Sequence, residues 1–217
     1  MKNVLITGGA GFIGSHLSKL LVENNYKVRI LDNLSPQIHG DNAQPPSWIN
    51  DLSIELILGD ITSRQDVSSA IKEIDCIVHL AAETGTGQSM YQIERYNQVN
   101  VQGTAILLDI LTTQTHQVKK ILLASSRSIY GEGTYVCQNC NIDSINPEPR
   151  SAYQLRQHIW EPICNCCKHT LHAVPTKESD NITPASIYAS TKFMQEELIR
   201  IFAQSVGIDY CFLRLQN

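Results

Sequence analysis

No stretch of this chain approaches the roughly eighteen consecutive apolar residues of a membrane-spanning helix, and there are no internal repeats or low-complexity tracts. Aromatic residues are few, at 6%, and neither sign of charge dominates: 17 Lys and Arg stand against 21 Asp and Glu, a net −4. A weakly acidic chain exerts no general pull on nucleic acid or anionic lipid, so neither a nucleic-acid partner nor a membrane is expected. The start, MKNVLITGGAGFIG, lacks the long apolar region and the small-residue cleavage site of a signal peptide, and a cytoplasmic location is expected. Seven cysteines is an odd number. With no export signal, that favours reduced thiols or a metal site over a secreted disulfide framework. What is present is a chain 42% hydrophobic and 18% charged, too apolar for disorder, and 217 residues suffice for one contiguous core.

Short β-rich runs alternate with helical patterns, which predicts an α/β fold with a parallel sheet. Strands are expected at Lys2–Thr7, Val28–Leu31, Ile54–Leu58, Cys76–Leu80, Lys120–Ser125 and Tyr210–Leu215. Helices are expected at Phe12 to about Asn24, Ser63–Glu73, Tyr91–Thr113 and Ser186–Gln204, with Ser63-x-x-Asp66 as a start signal. Residues 33–50, with three prolines, read as a loop. Residues 127–185 break the rhythm and are rich in Cys, Pro, His and Asn.

Between the first strand and first helix stands Gly8-Gly9-Ala10-Gly11-Phe12-Ile13-Gly14. Gly8 suits a tight turn. Gly11 lets backbone N–H groups reach a pyrophosphate at the helix N-terminus, and Gly14 lets the helix pack closely on the sheet. Asp32 ends the second strand, 21 residues after Gly11. A carboxylate there accepts the ribose hydroxyls of NAD and repels a 2′-phosphate. A glycine turn used only for packing is the plainer alternative. Strand, helix and acid at these distances favour NAD.

With ITGGAGFIGSHL at 6–17, LDNL at 31–34, GDI at 59–61, HLAA at 79–82, NVQGT at 100–104, SSRSIYGEG at 125–133 and YASTK at 188–192, the chain resembles the extended short-chain dehydrogenase/reductase family, the NAD-dependent nucleotide-sugar epimerases and dehydratases. The resemblance implies a doubly wound Rossmann-type sheet in 3-2-1-4-5-6 order. It implies contacts from Asp60 and Ile61 to adenine and from Ala81, Ala82 and Asn100 along NAD. Phe12, Ile13, Asn33 and Ser125 lie in the same segments and are expected at the cofactor with Tyr188 and Lys192. As bare residues, Ala81 and Ala82 would be packing positions and Asn100 a surface helix residue.

Tyr188 and Lys192, four apart in a helical pattern, share a face. A free phenol is a poor base at neutral pH. An ammonium at about 4 Å and an effective dielectric near 20 contributes roughly 4 kcal/mol, enough to bring a phenolate near pH 7. Ser126 is placed to hydrogen-bond the hydroxyl that Tyr188 deprotonates. Alone, such a pair reads as an exposed i,i+4 contact; with the glycine turn it reads as catalytic. Dehydratases of the family follow the serine position with an Asp-Glu pair, whereas Arg127 and Ser128 stand here. That favours a 4-epimerase, which oxidises C4 of a dTDP- or UDP-sugar to a transient ketone and returns hydride to the other face.

Ser126 and Tyr188 are 62 residues apart, longer than is usual in the family, so an insertion is expected at 134–182 between NAD-binding segments 1–133 and 183–217. It holds Cys137-x-x-Cys140 and Cys164-x-x-Cys167, spacing that suits a zinc-ribbon-like structural Zn²⁺ site. Cys166, His169 and His172 are close enough to substitute as ligands, and four unrelated thiols is the plain alternative. Side chains from Thr134 to Lys177 sum to a charge of only +1, which disfavours a nucleic-acid-binding ribbon. The Cys-rich segment brings the resemblance nearest to the dTDP-L-rhamnose 4-epimerase subgroup. The family also implies a homodimer paired through helices near 91–113 and 186–204, and a C-terminal substrate region beyond the last strand here. A non-catalytic NAD-binding fragment or regulator is therefore the alternative function.

Overall fold

The computed structural model describes residues 2–216; Met1 and Asn217, the outer limits of the expected domain, lie outside them. Asn3–Thr7 (NVLIT) forms β1, with Leu5 and Ile6 fully buried on opposite faces. Then come α1 (Phe12–Glu23), β2 (Lys27–Asp32), the short helices α2 (Pro36–His39) and α3 (Ser47–Asp51), β3 (Glu55–Leu58), α4 (Arg64–Ala70) and β4 (Cys76–His79). The short turns α5 (Thr86–Ser89) and α6 (Ile93–Tyr96) lead through a π-helical segment, Asn97–Gln102, into α7 (Gly103–Thr113) and β5 (Lys120–Ser126). A 3-10 turn at Arg127–Tyr130 opens an excursion holding β6 (Tyr135–Cys137), β7 (Ile142–Ile145), α8 (Ala152–Arg156) and β8 (His172–Ala173). The chain returns through α9 (Ile187–Val206) and β9 (Asp209–Leu215).

Six strands pair in the order β3-β2-β1-β4-β5-β9, all parallel. This is the expected doubly wound order, with β9 in sixth place because the excursion adds three strands. Side-chain alternation divides the core in two. Leu5, Leu31, Ile77, Ile121 and Leu123 face α4, α7 and α9 through Val67, Leu107, Ile110, Ile199 and Ala203. Val4, Ile6, Val28, Ile30 and Val78 pack with Ile49 and Ile54, covered by Leu17 and Leu21 of α1. Truncating a side chain as buried as Leu107 to alanine costs about 2–5 kcal/mol.

Three details depart from the sequence expectation. The loop at 33–50 contains α2 and α3, the first opened by Pro36 at its N1–N2 positions. The helix expected at Tyr91–Thr113 starts at Ile93 and widens into the π segment. In α4, Ser63 Oγ accepts from Asp66 N–H at 3.3 Å, but the Asp66 carboxylate turns to Asp60 N–H at 2.9 Å, so the capping is one-sided.

The excursion carries its own three-stranded antiparallel sheet, β7-β6-β8. Its buried cluster is small: Tyr135, Cys137, Cys164 and Leu171.

Candidate functional site

Two adjoining clefts lie at the C-terminal ends of the strands and share Ile13, Leu80, Ala82 and Thr84. The first, about 320 Å³, is walled by the glycine turn. Gly8 has φ +68°, and a Cβ there would meet Ala81 N at 2.8 Å. A Cβ at Gly11 would meet only Gly8 O, at 3.4 Å, and α1 starts without a side-chain cap. Its first N–H groups are therefore not satisfied by a capping side chain. Gly14 packs on the backbone of Gly9, and a Cβ at Gly9 would strike Ile30 at 2.7 Å. Gly9, not assigned a role from the sequence, thus supplies the close contact with the sheet and Gly14 the contact with the turn. An interrupted glycine spacing hides a second glycine beside the first.

Phe12, Ile13, Asn33, Ile61, Ala81 and Ala82 line this cleft with Gly8, Gly11, Gly14 and Asp32. Asp32 is 8% exposed, and its two oxygens accept from Ala10 N–H and Leu34 N–H, each at 2.9 Å. A carboxylate has about four acceptor positions, so two remain. Asp60 lines neither cleft. Burial pushes its carboxyl up, but hydrogen bonds from Thr62 and Asn33 outweigh that and hold it below the usual range. It therefore braces Asn33 at 2.8 Å. Asn100 lines neither cleft and is fully buried in the π segment, not a surface position. Its amide accepts from Glu83 N–H at 2.8 Å and donates to Glu83 O at 3.1 Å and Thr191 Oγ1 at 3.0 Å. It ties the segment after β4 to α9. π segments recur where helices serve a site.

The second cleft, about 630 Å³, brings together Ser125, Ser126, Tyr188 and Lys192, with Arg127 and Ser128. Ser186 caps α9, accepting from Ala189 N–H at 3.1 Å. That sets Tyr188 in the first turn, where its N–H donates to Ser89 Oγ at 3.0 Å and its ring stands edge-on to Tyr96, 6.4 Å away. Burial raises the phenol's pKa, and a hydrogen bond with the Ser126 hydroxyl draws it partly back. Ser126 Oγ itself accepts from Ser128 N–H at 3.1 Å and lies 2.9 Å from Ser128 Oγ.

Lys192 departs from the sequence expectation in its charge. Burial lowers its pKa to about 7 against the opposing pull of Glu196. The ammonium donates to Gln195 Oε1 at 2.6 Å. The phenol is not lowered by a full neighbouring charge, because desolvation acts on both groups. Ser125, expected at the cofactor, donates to Glu196 Oε1 at 2.5 Å, and Glu196 pairs with Arg214 at 2.9 Å. Gln195 and Glu196 had one available signal: they stand three and four residues beyond Lys192 in a helix.

In the excursion, the Sγ atoms of Cys137, Cys140, Cys164 and Cys167 all lie within 4.8 Å of one another. Cys137 and Cys167 are 3.5 Å apart, Cys140 and Cys164 3.9 Å. A tetrahedral ion with bonds of about 2.3 Å requires S···S separations of about 3.8 Å. Each Cys-x-x-Cys turn is followed by a left-handed residue, Asn141 (φ 50°) and Lys168 (φ 61°). Backbone amides favour thiolate at both sulfurs of the second turn, those of Cys167 and Cys166 lowering Cys164 and that of His169 lowering Cys167 to about 6. Cys166, His169 and His172 are exposed and outside the four-sulfur group.

Residues 4–171 match the NAD dependent epimerase/dehydratase family. A dTDP-L-rhamnose 4-epimerase of Burkholderia thailandensis is 35% identical over all of this chain and 58% of its own length. The solved UDP-N-acetylglucosamine 4-epimerase of Methanobrevibacter ruminantium, in complex with UDP-N-acetylmuramic acid, is 30% identical with a TM-score of 0.68, over 98% of this chain and 54% of that one. The UDP-glucose 4-epimerase of Brucella ovis, in complex with NAD, is 26% identical with a TM-score of 0.63, over 99% and 51%. The chain spans a little over half the length of these relatives. Among the described residues, no helix is long and apolar enough to cross a membrane. By its strand order, its glycine turn and this match over most of its length, the chain belongs to the NAD dependent epimerase/dehydratase family.

Proposed function

We propose that the chain binds NAD in the first cleft and carries the catalytic half of a nucleotide-sugar 4-epimerase. The observation that carries this reading is the meeting of Ser126, Tyr188 and Lys192 in a cleft continuous with the glycine turn. The N–H groups of the first turn of α1, which no side chain caps, suit a pyrophosphate, and the remaining acceptor positions of Asp32 suit a ribose diol. When bound, NAD supplies a hydride acceptor for the sugar C4–H and a cationic ring that favours a nearby phenolate.

The chain's own residues handle the proton. Tyr188 takes it from the sugar 4-hydroxyl and returns it to the same oxygen once the ketone has presented its other face. Ser126, held by Ser128, hydrogen-bonds that oxygen. Lys192 holds the nicotinamide ribose. Arg127 and Ser128 offer no paired acid and base near neutral pH, so elimination of water is not supported. A dTDP- or UDP-sugar fits the relatives' substrates.

The four cysteines hold a structural Zn²⁺ in this reading, with no ligand position left open. The exposed Met194 and Ile201, seven apart on α9, supply apolar surface for a homodimer.

The test denatures purified protein, identifies released nucleotide by mass, and follows 4-epimerisation of dTDP-L-rhamnose and UDP-glucose by NMR. NAD release, turnover, and its loss by at least about a hundredfold in Tyr188→Phe with nucleotide retained are expected. A protein without NAD, or Tyr188→Phe at full rate, would overturn the reading. NAD release without turnover of any sugar supports the non-catalytic alternative.

A further inference from the structure

Lys192 is 2% exposed, so its ammonium requires an acceptor inside the protein. Glu196 is one turn away on the same helix, but its carboxylate is engaged by Ser125 at 2.5 Å and by Arg214 at 2.9 and 3.1 Å. The acceptor is Gln195, fully buried, whose Oε1 takes the bond from Nζ at 2.6 Å.

The amide cannot turn freely. Its Nε2 donates to Thr104 Oγ1 at 2.7 Å and meets His79 Nε2 at 3.2 Å. Thr104 gives its own proton to Asn100 O at 2.6 Å, so toward Gln195 it only accepts. A flipped amide would set its NH₂ group against the ammonium and its oxygen against the Thr104 lone pairs. One orientation therefore satisfies both ends.

We infer that Gln195 is a positioning residue for Lys192. Its carbonyl oxygen holds the buried ammonium at the wall of the cleft that Lys192 shares with Tyr188, and Thr104 holds the amide. The inference rests on the reading of Lys192 as a cofactor-binding residue and adds the group through which that lysine is placed. A merely core-filling Gln195 would act through its NH₂ bond to Thr104 as much as through its oxygen. The two roles separate in Gln195→Glu, which keeps an acceptor for Lys192 and loses the NH₂ group. Gln195→Leu loses both.

NADH affinity, followed by nicotinamide fluorescence, is measured for the natural chain, Lys192→Met, Gln195→Leu, Gln195→Glu and the double variant Lys192→Met/Gln195→Leu. Lys192→Met is expected to weaken binding about tenfold or more, the scale of a lost charged hydrogen bond. Gln195→Leu is expected to weaken it roughly threefold to tenfold, with no further loss when Lys192→Met is already present. Gln195→Glu should stay within about twofold of the natural chain. Equal weakening by Gln195→Glu and Gln195→Leu, or losses that multiply in the double variant, overturns the inference.

Should Gln195→Leu fail to fold, thermal midpoints decide. Gln195→Glu combined with Lys192→Met strands a buried carboxylate, and its midpoint should fall by more than the two single changes together. Simple additivity overturns the inference. This cycle tests the pairing even if the protein binds no NADH. A natural chain without affinity, or Lys192→Met binding as the natural chain does, is instead a failure of the functional reading.

Discussion

At β4, His79 is fully buried between Thr7 Oγ1 at 2.7 Å and Thr104 Oγ1 at 3.0 Å. Burial, with a smaller push from Lys192, lowers its pKa to about 3. The unfolded chain takes up a proton near pH 6.5 that the folded chain refuses until about pH 3. Stability from this group is complete above pH 6.5 and declines as pH falls, by up to about 1.4 kcal/mol per unit. Urea midpoints measured from pH 7 to pH 5 should fall, and His79→Gln, still able to hydrogen-bond, should flatten that slope. An unchanged slope in the variant would refute the assignment. The same desolvation explains what spacing missed at Tyr188 and Lys192. Four residues of separation report a shared helix face. They do not report that both groups leave water, which raises the phenol and lowers the ammonium. Likewise Asn100 read as a surface residue because nothing in its neighbours betrays the π segment that turns it inward.

The strand-turn-helix of β1 and α1 was legible because each glycine answers a separate steric demand, and two substitutions distinguish those demands. At Gly14 a Cβ would lie 2.5 Å from Gly9 Cα and O, so Gly14→Ala must push α1 off the turn. Overpacking of this kind costs about 1–3 kcal/mol, and a drop of several degrees in melting midpoint is expected. Gly11→Ala meets nothing closer than 3.4 Å, and its φ of −71° suits any residue. Its midpoint should stay within about two degrees, while the methyl intrudes on the cleft and weakens NADH binding about tenfold or more. Calorimetric melts and a fluorescence titration on both variants check the pair; a destabilised Gly11→Ala that binds normally would reverse the roles. The six parallel strands were legible from their apolar runs between turn signals. The short helices α2, α3, α5 and α6 were not, since four or five residues hold barely one turn of pattern. The π segment was hidden because its added residue keeps the helical look of the sequence.

Across the whole molecule, two sheets of unequal strength share one chain. The six-stranded sheet carries a large buried cluster on each face, whereas the β7-β6-β8 sheet encloses only Tyr135, Cys137, Cys164 and Leu171, with two-residue β8 as an edge. A cluster that small does not fold unaided, and the proposed tetrathiolate ion would supply the missing free energy. The cysteine spacing made the site legible; the tethers that seat it were not, because they pair distant residues. Thr134 Oγ1 donates to Asp180 at 2.6 Å, Thr183 N–H to Ile129 O at 2.9 Å, and Arg214 to Glu178 O at 3.2 Å. The first joins the two ends of the excursion to each other, and the other two attach them to the 3-10 turn after Ser126 and to β9, on the far side of the sheet from the Asp32 end of the first cleft. Metal loss should therefore loosen the excursion and spare the nucleotide end. Purified protein is expected to hold about one zinc per chain, and Cys137→Ser with Cys164→Ser to hold almost none. After chelation, amide hydrogen exchange should rise at Val136, Lys168 and Leu171, stay unchanged in β1, β2 and β4, and leave NADH affinity within about twofold. Full zinc content in the double variant would remove the metal from the site. Exchange rising equally in both sheets would mean that the excursion and the nucleotide-binding core unfold as one unit, because a local centre can release only the structure that depends on it.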